Sequence, residues 1–262
     1  MAGLPDAFFL PVGVHTWQPT EATVGPWSRE LQHGGPPIAL LARAMRLHPG
    51  DEDLTIARLT VEFLGPVPVA PCSVAVRVLR PGRRIELLQG ELSVGGKPVL
   101  LAHAWRLQRA VGSSPAIPDP FVPPPLPDLE TTEFFPGVTH FPYGHALEWR
   151  FVRGSFVAPG PALVWGRARI PLVAGEQTGG LEGLLTFLDS ANGVSAELDV
   201  RTHTFPPVDL SLNLHRLPRG PWFGMDARTV VDGVGIGLVH TTVFDADGPA
   251  GRSLHTLFVR PR

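Results

Sequence analysis

Apolar and polar positions change period along the chain twice, in the same order. From Pro36 to Leu47, Ala and Leu follow two prolines placed where a first helical turn tolerates them, which predicts a helix over 36–47. Alternating apolar and polar residues then predict strands at about 55–64, 72–80, 84–94 and 98–108. The second series opens with Leu181 to Asn192, which Gly193 closes as a helix. Strands are predicted after it at about 206–216, 222–231, 235–245 and 252–260. Arg77 and Arg228, Gly82 and Gly233, Ile85 and Ile236, and Pro98 and Pro249 all lie 151 residues apart, a degenerate internal repeat. His103 falls opposite His255, one residue out of that register. One apolar helix followed by a meander of long strands, twice over, predicts an α+β chain with an antiparallel sheet around a buried helix in each half.

Composition narrows the function more than the fold. Prolines crowd residues 115–128, where neither a helix nor a central strand can form. The expected organisation is therefore one unit over 1–110, a Pro-rich linker over 111–142 and a second unit over 143–262. Lys plus Arg number 22 against 24 Asp plus Glu, so no excess of positive charge favours nucleic acid as a partner. The single cysteine, Cys72, excludes an internal disulfide framework and a Cys-rich metal site. The histidines show no ligand spacing, and Gly-x-Ser-x-Gly and P-loop patterns are absent, so neither a metal nor a redox cofactor is expected. No apolar run is long enough to span a membrane, and Met1 to Leu10 lacks the basic start of a secretory signal. The expectation is a cytoplasmic protein, with further self-association possible through strand edges or helix faces.

Three segments carry candidate chemistry: Gln32-His33-Gly34-Gly35 at the head of the first helix, Leu188-Asp189-Ser190-Ala191-Asn192-Gly193 at the end of the second, and Val208 to Arg216 on the strand that follows. In this order they resemble the double-hotdog acyl-CoA thioesterases of the thioesterase II type, over nearly the whole chain outside the linker. The resemblance implies a tandem hotdog whose two sheets pair into one. It also implies hydrolysis of acyl-CoA thioesters, with coenzyme A as part of the substrate. In such folds the glycine amides and the carboxylate of one site come from different units. Two departures stand out: His255 takes the place of a family Gln, and Pro207 that of a family Thr.

The residues themselves support a division of labour. Two glycines before a helix let a ligand approach amides with a partial positive charge, the equipment for a developing oxyanion at Gly34 and Gly35. His33 either joins that site or packs beside it. Asp189, among Leu184, Leu185, Phe187 and Leu188, must find partners or raise its pKa, which suits a general base; the plainer reading puts it near the helix end, facing solvent or bonding a neighbouring amide. His255 either donates to water or substrate or is a strand histidine facing solvent or packed and satisfied by backbone. Arg43 and Arg216 are candidate substrate-binding cations. Nine residues after His33 stands Ala42, and nine before Asp189 stands Gly180, so the mirror site lacks both His and carboxylate. Leu41 and Met45 are suited to fill it. One composite site per chain follows. The alternative is a protein that binds acyl-CoA or an acyl chain without turnover.

Overall fold

A computed structural model describes residues 3–262. The strands are β1 (Phe9–Gly13), β2 (Thr16–Pro19), β3 (Leu54–Phe63), β4 (Cys72–Arg80), β5 (Ile85–Val94), β6 (Lys97–Gln108), β7 (Leu147–Arg153), β8 (Ala162–Ala168), β9 (His203–Thr204), β10 (Asp209–Leu214), β11 (Phe223–Val231), β12 (Ile236–Asp245), β13 (Gly248–Phe258) and β14 (Arg260–Pro261). The helices are α1 (Gly35–Arg46), α2 (Pro142–Ala146), α3 (Gly180–Leu188) and α4 (Ala191–Val194). Twelve strands form one sheet in the order β1-β2-β4-β5-β6-β3-β10-β13-β12-β11-β8-β7. The two expected sheets are thus a single one, joined where β3 pairs antiparallel with β10, Val61 opposite Leu210 and Leu59 opposite Leu212. Strands β4, β5 and β6 reappear 151 residues later as β11, β12 and β13, so the repeat is structural.

Helix α1 packs on β3 to β6, α3 packs on β8 and β11, and the two helices lie against each other. Ile38, Leu40, Leu41, Ala42 and Met45 are fully buried on α1, as are Leu184, Leu185, Phe187 and Leu188 on α3. Pro36 and Pro37 start α1, and Arg43 and Arg46 suit its negative end. The second helix stops earlier than expected: α3 ends at Leu188, Asp189 and Ser190 form a turn, and α4 is a short separate piece. Neither α1 nor α3 has a capping side chain at its first residue, because both N-caps are glycine, Gly34 and Gly179. Their free amides need other partners.

The halves interlock at two places. The amides of Phe8 and Phe9 donate to the carbonyls of Pro171 and Leu172 at 3.0 and 2.9 Å, carrying the N-terminal segment onto the second half. The amide of Tyr143 donates back to the carbonyl of Val24 at 3.1 Å. The Pro-rich stretch is not a free spacer. Arg252 pairs with Asp119 at 2.9 Å, the amide of Thr131 donates to the carbonyl of Trp149 at 2.8 Å, and Phe135 and Phe141 enter the core.

Candidate active site

The site begins with backbone. The amide of Gln32 donates to Val67 O at 2.8 Å and that of His33 to Thr23 O at 2.7 Å, which fixes the approach to α1. A Cβ on Gly34 would lie 2.7 Å from Asp189 Oδ2 and 2.8 Å from the Phe63 ring, and one on Gly35 would collide with the carbonyl of Thr186. Only glycine lets the end of α3 come this close to the start of α1. The Asp189 carboxylate therefore reaches across from the second half and sits over the uncapped amides of the first.

His33 completes the contact. Its Nδ1 lies 3.3 Å from Asp189 Oδ2 and accepts from the Gly35 amide at 3.2 Å. Its ring stacks flat on Tyr143, centroids 3.8 Å apart and planes at 4°. The Tyr143 hydroxyl donates to Thr186 O at 2.7 Å and lies 2.9 Å from Ser190 Oγ. Tyr143 thus braces His33 on one side and the turn that carries Asp189 on the other. It is the only tyrosine in the chain, yet sequence reasoning missed it, because nothing local ties α2 to either motif.

Burial dominates the electrostatics. It pushes the Asp189 carboxyl up to about 8, against the opposing pull of the Gly34 and Gly35 amides. It pushes His33 down to about 3, so the imidazole is neutral at pH 7. The Tyr143 hydroxyl is held well above its usual range, first by burial and then, after a lowering bond from Ser190, by the charge of Asp189. Asp189 Oδ1 is buried without a hydrogen-bond partner. Such an oxygen costs free energy unless a water or a substrate meets it.

His255 lies on β13, 1% exposed, with neither ring nitrogen hydrogen-bonded. It is neither solvent-facing nor satisfied by backbone. Burial lowers it to about 4, partly opposed by Asp209. Two neighbours share its condition: Thr241 and Ser253 are directly paired across β12 and β13, and their hydroxyls are also buried and unpartnered. The repeat puts Gly90, Ala102 and Ala104 at the same three places in the first half. Ala104, not His103, is therefore the counterpart of His255. The inner face of the second half is polar where its twin is bare. On the neighbouring strand pair, Leu210 faces Val61, and Phe63 two residues on lies against Gly34.

Both candidate arginines are committed elsewhere. Arg43 makes two bonds to Glu176, at 2.7 and 2.6 Å, and Arg216 grips the buried Asp245 at 2.7 and 2.6 Å while its Nε donates to Pro249 O. They brace the helix pair and the β12–β13 turn and show no free guanidinium for a substrate. The mirror position also needs correcting. Matching Gly34-Gly35 to Gly179-Gly180 puts Ala44, not Ala42, opposite Asp189. There the buried Glu182 reaches back over Gly179 and pairs with Arg46 at 2.5 Å. Leu41 and Met45 fill the space over Gly90, inside the first half. Among the described residues, no three His, Cys, Asp or Glu side chains gather as a metal site, and no helix is long and apolar enough to cross a membrane. Cys72 is buried, its thiol pushed up to about 11 by burial and donating to Trp17 O at 3.6 Å.

Comparison with known proteins agrees with this architecture. No curated protein sequence matches the chain. Among solved structures, a hot dog fold protein from Alicyclobacillus acidocaldarius aligns with TM-score 0.73 at 20% identity, over 97% of this chain and 97% of that one. The acyl-CoA thioesterase II TesB2 from Mycobacterium marinum aligns with TM-score 0.67 at 19% identity, over 97% and 95%. At these identities the likeness establishes the hotdog fold. The family models reach further: that of the acyl-CoA thioesterase N-terminal domain matches residues 23–107 and that of the C-terminal domain residues 121–259, so the chain belongs to the acyl-CoA thioesterase family.

Proposed function

We propose that the protein hydrolyses acyl-CoA thioesters to the free acid and coenzyme A at one composite site per chain. The observation that carries this reading is the Asp189 carboxylate of one half held over the glycine amides of the other half's helix. In the reaction the thioester oxygen replaces Asp189 and His33 as the acceptor of the Gly34 and Gly35 amides, at the positive end of α1. Asp189 removes a proton from water as the water attacks the carbonyl carbon. The tetrahedral oxyanion collapses, the C–S bond breaks, and the proton passes from Asp189 to the departing thiolate. A base poised near 8 suits both transfers, since it can take the proton and give it back. His33, neutral and stacked on Tyr143, accepts from the Gly35 amide through Nδ1, which lies 3.3 Å from Asp189 Oδ2 and can accept its proton only when the carboxyl is protonated. His255, with Ser253 and Thr241, offers unpaired groups for the water or the substrate.

Release of CoA from a panel of acyl-CoAs tests the proposal. Asp189→Asn is expected to lower kcat about 10²–10⁴-fold with a smaller change in KM. One observation favours the second reading, binding without turnover: Pro207 and His255 replace the family's Thr and Gln. Calorimetric binding of acyl-CoAs with no CoA release from any of them would establish that reading instead.

A further inference from the structure

Tyr143 touches both sides of the composite site without lying on either of its helices. It stands on α2, where the Pro-rich stretch between the halves ends, and is fully buried. The end of α3 gives its hydroxyl a task. The Ser190 amide donates to Phe187 O, three residues back, at 3.1 Å, so the Thr186 carbonyl loses the amide that a continuing helix would supply. The Tyr143 hydroxyl takes that place at 2.7 Å. With its one proton committed there, its oxygen accepts from Ser190 Oγ at 2.9 Å. A directed chain, Ser190 to Tyr143 to Thr186, thus closes around the turn that carries Asp189. The carbonyl so held is the one that a Cβ on Gly35 would strike. The hydroxyl therefore fixes how the end of α3 meets the start of α1.

The ring has a second task. The Tyr143 amide donates to Val24 O at 3.1 Å and the His33 amide to Thr23 O at 2.7 Å, so one short segment sets both backbones. The two rings meet face to face, with 3.8 Å between centroids and 4° between planes. The stack fixes the plane of the imidazole, whose Nδ1 then stays on the Gly35 amide, 3.3 Å from Asp189 Oδ2. Burial is the first cause of the raised Asp189 carboxyl, and the charge of Asp189 in turn raises Tyr143. The buried phenol is part of what keeps water from the carboxylate.

We propose that Tyr143 is a positioning residue of this site: its hydroxyl sets the turn that presents Asp189, and its ring orients His33 against the same carboxylate. The proposal rests on the thioesterase reading and adds a third part to the site, supplied by the segment between the halves. The hydroxyl and the ring act on different quantities, the first on the placing of the carboxylate and the second on its exclusion from water.

Three variants, each assayed for kcat, KM and pH profile, test it. Tyr143→Phe keeps the ring and removes the hydroxyl. It is expected to lower kcat about 10–10²-fold, with a smaller change in KM and the midpoint of the kcat/KM profile still at about 8. Ser190→Ala, at the other end of the same hydrogen bond, is expected to act in the same direction. The double variant is expected to be no slower than Tyr143→Phe, since the two groups act as one unit. Tyr143→Leu removes the ring and leaves space beside Thr186 O and Ser190 Oγ, which water fills; the midpoint then falls from about 8 toward 3.8. A residue that only stabilised the fold would lower the Tm of Tyr143→Phe and leave kcat as in wild type, and that result overturns the proposal. So does a midpoint unmoved in Tyr143→Leu, or rate losses that multiply in the double variant. The Phe and Ala variants keep the core filled and decide the matter if Tyr143→Leu does not fold. Titration of the Asp189 carboxyl by ¹³C NMR, assigned with Asp189→Asn, needs no turnover. If wild type releases no CoA, the hydrolase reading fails alone. A lowered Asp189 midpoint in Tyr143→Leu then still supports the positioning, and equal midpoints in that variant and wild type overturn it.

Discussion

Asp189 owes its chemistry to one fact, the removal of a carboxylate from water with only part of its hydrogen bonding replaced. That fact predicts how rate and stability vary with pH. If Asp189 must be ionised to act as base, kcat/KM rises with pH and levels off above about 8, the value to which burial pushes its carboxyl. A flat profile between pH 6 and 9 would remove it from that role. The stability effect has the opposite sense. A carboxyl whose folded pKa stands at about 8 against an ordinary 3.8 contributes stability that is full below about 3.8 and lost as pH rises through about 8. Asp189→Asn therefore stabilises the fold at pH 8 by about 1–3 kcal/mol, the cost of an uncompensated buried polar group, with little gain at pH 4. Thermal unfolding of both proteins at the two pH values checks this. His33 and His255 act in reverse: their lowered values, about 3 and about 4, make stability fall as pH drops below 6.5. Sequence reasoning found Asp189 and the glycines because a carboxylate in an apolar helix and paired glycines before one are local anomalies. It could not find Tyr143, whose importance lies in two contacts with residues remote in sequence.

At the scale of elements, two helices without capping side chains differ in what lies at their starts. The amides of α1 face the Asp189 of its neighbour, while over Gly179 at the start of α3 lies the buried Glu182, which Arg46 pairs from α1. One carboxylate lacks a cation; the other has one. The Glu182 side chain is 2% exposed and that of Arg46 44%, so the cost of breaking the pair is unequal. Arg46→Ala leaves a buried charge uncompensated, at about 3–5 kcal/mol. Glu182→Gln leaves a guanidinium in contact with water and is expected to cost about 1–3 kcal/mol. Urea unfolding giving the reverse order would show that Glu182 is stabilised by the amides of α3 rather than by Arg46. Strands β4, β5, β11 and β12 were legible within a residue or so, because one face of each is buried and the pattern alternates. Strands β7 and β8 were not. β7 starts with Leu147, Glu148 and Trp149 all buried, and Glu148 is held by Arg150 and Arg167, so no period of two shows.

On the scale of the molecule, duplication has produced a fold with two similar halves and an interior that is not symmetric. The strands repeat at one spacing, 151, while the glycine pairs that start α1 and α3 repeat at another, 145. The difference accommodates the turn at Asp189 and α4, which have no counterpart after α1. The first half carries Gly90, Ala102 and Ala104 on its inner face, covered by Leu41 and Met45 of α1; the second carries Thr241, Ser253 and His255, unpartnered. One interior is packed shut and the other keeps hydrogen-bonding groups in waiting. At the helix ends the same asymmetry holds, with Asp189 unpaired by any cation on one side and Glu182 and Arg46 locked together on the other. A ligand that needs amides, a carboxylate free of a cation and unpartnered inner polar groups finds all three only once. Titration with a non-hydrolysable acyl-CoA analogue is therefore expected to give one bound per chain. A stoichiometry of two, with equal affinities, would mean that the Glu182–Arg46 pair opens to admit substrate and that the second site is not closed. A stoichiometry of one, unchanged in Glu182→Gln, would place the block in Leu41 and Met45 over Gly90, and not in the ion pair alone.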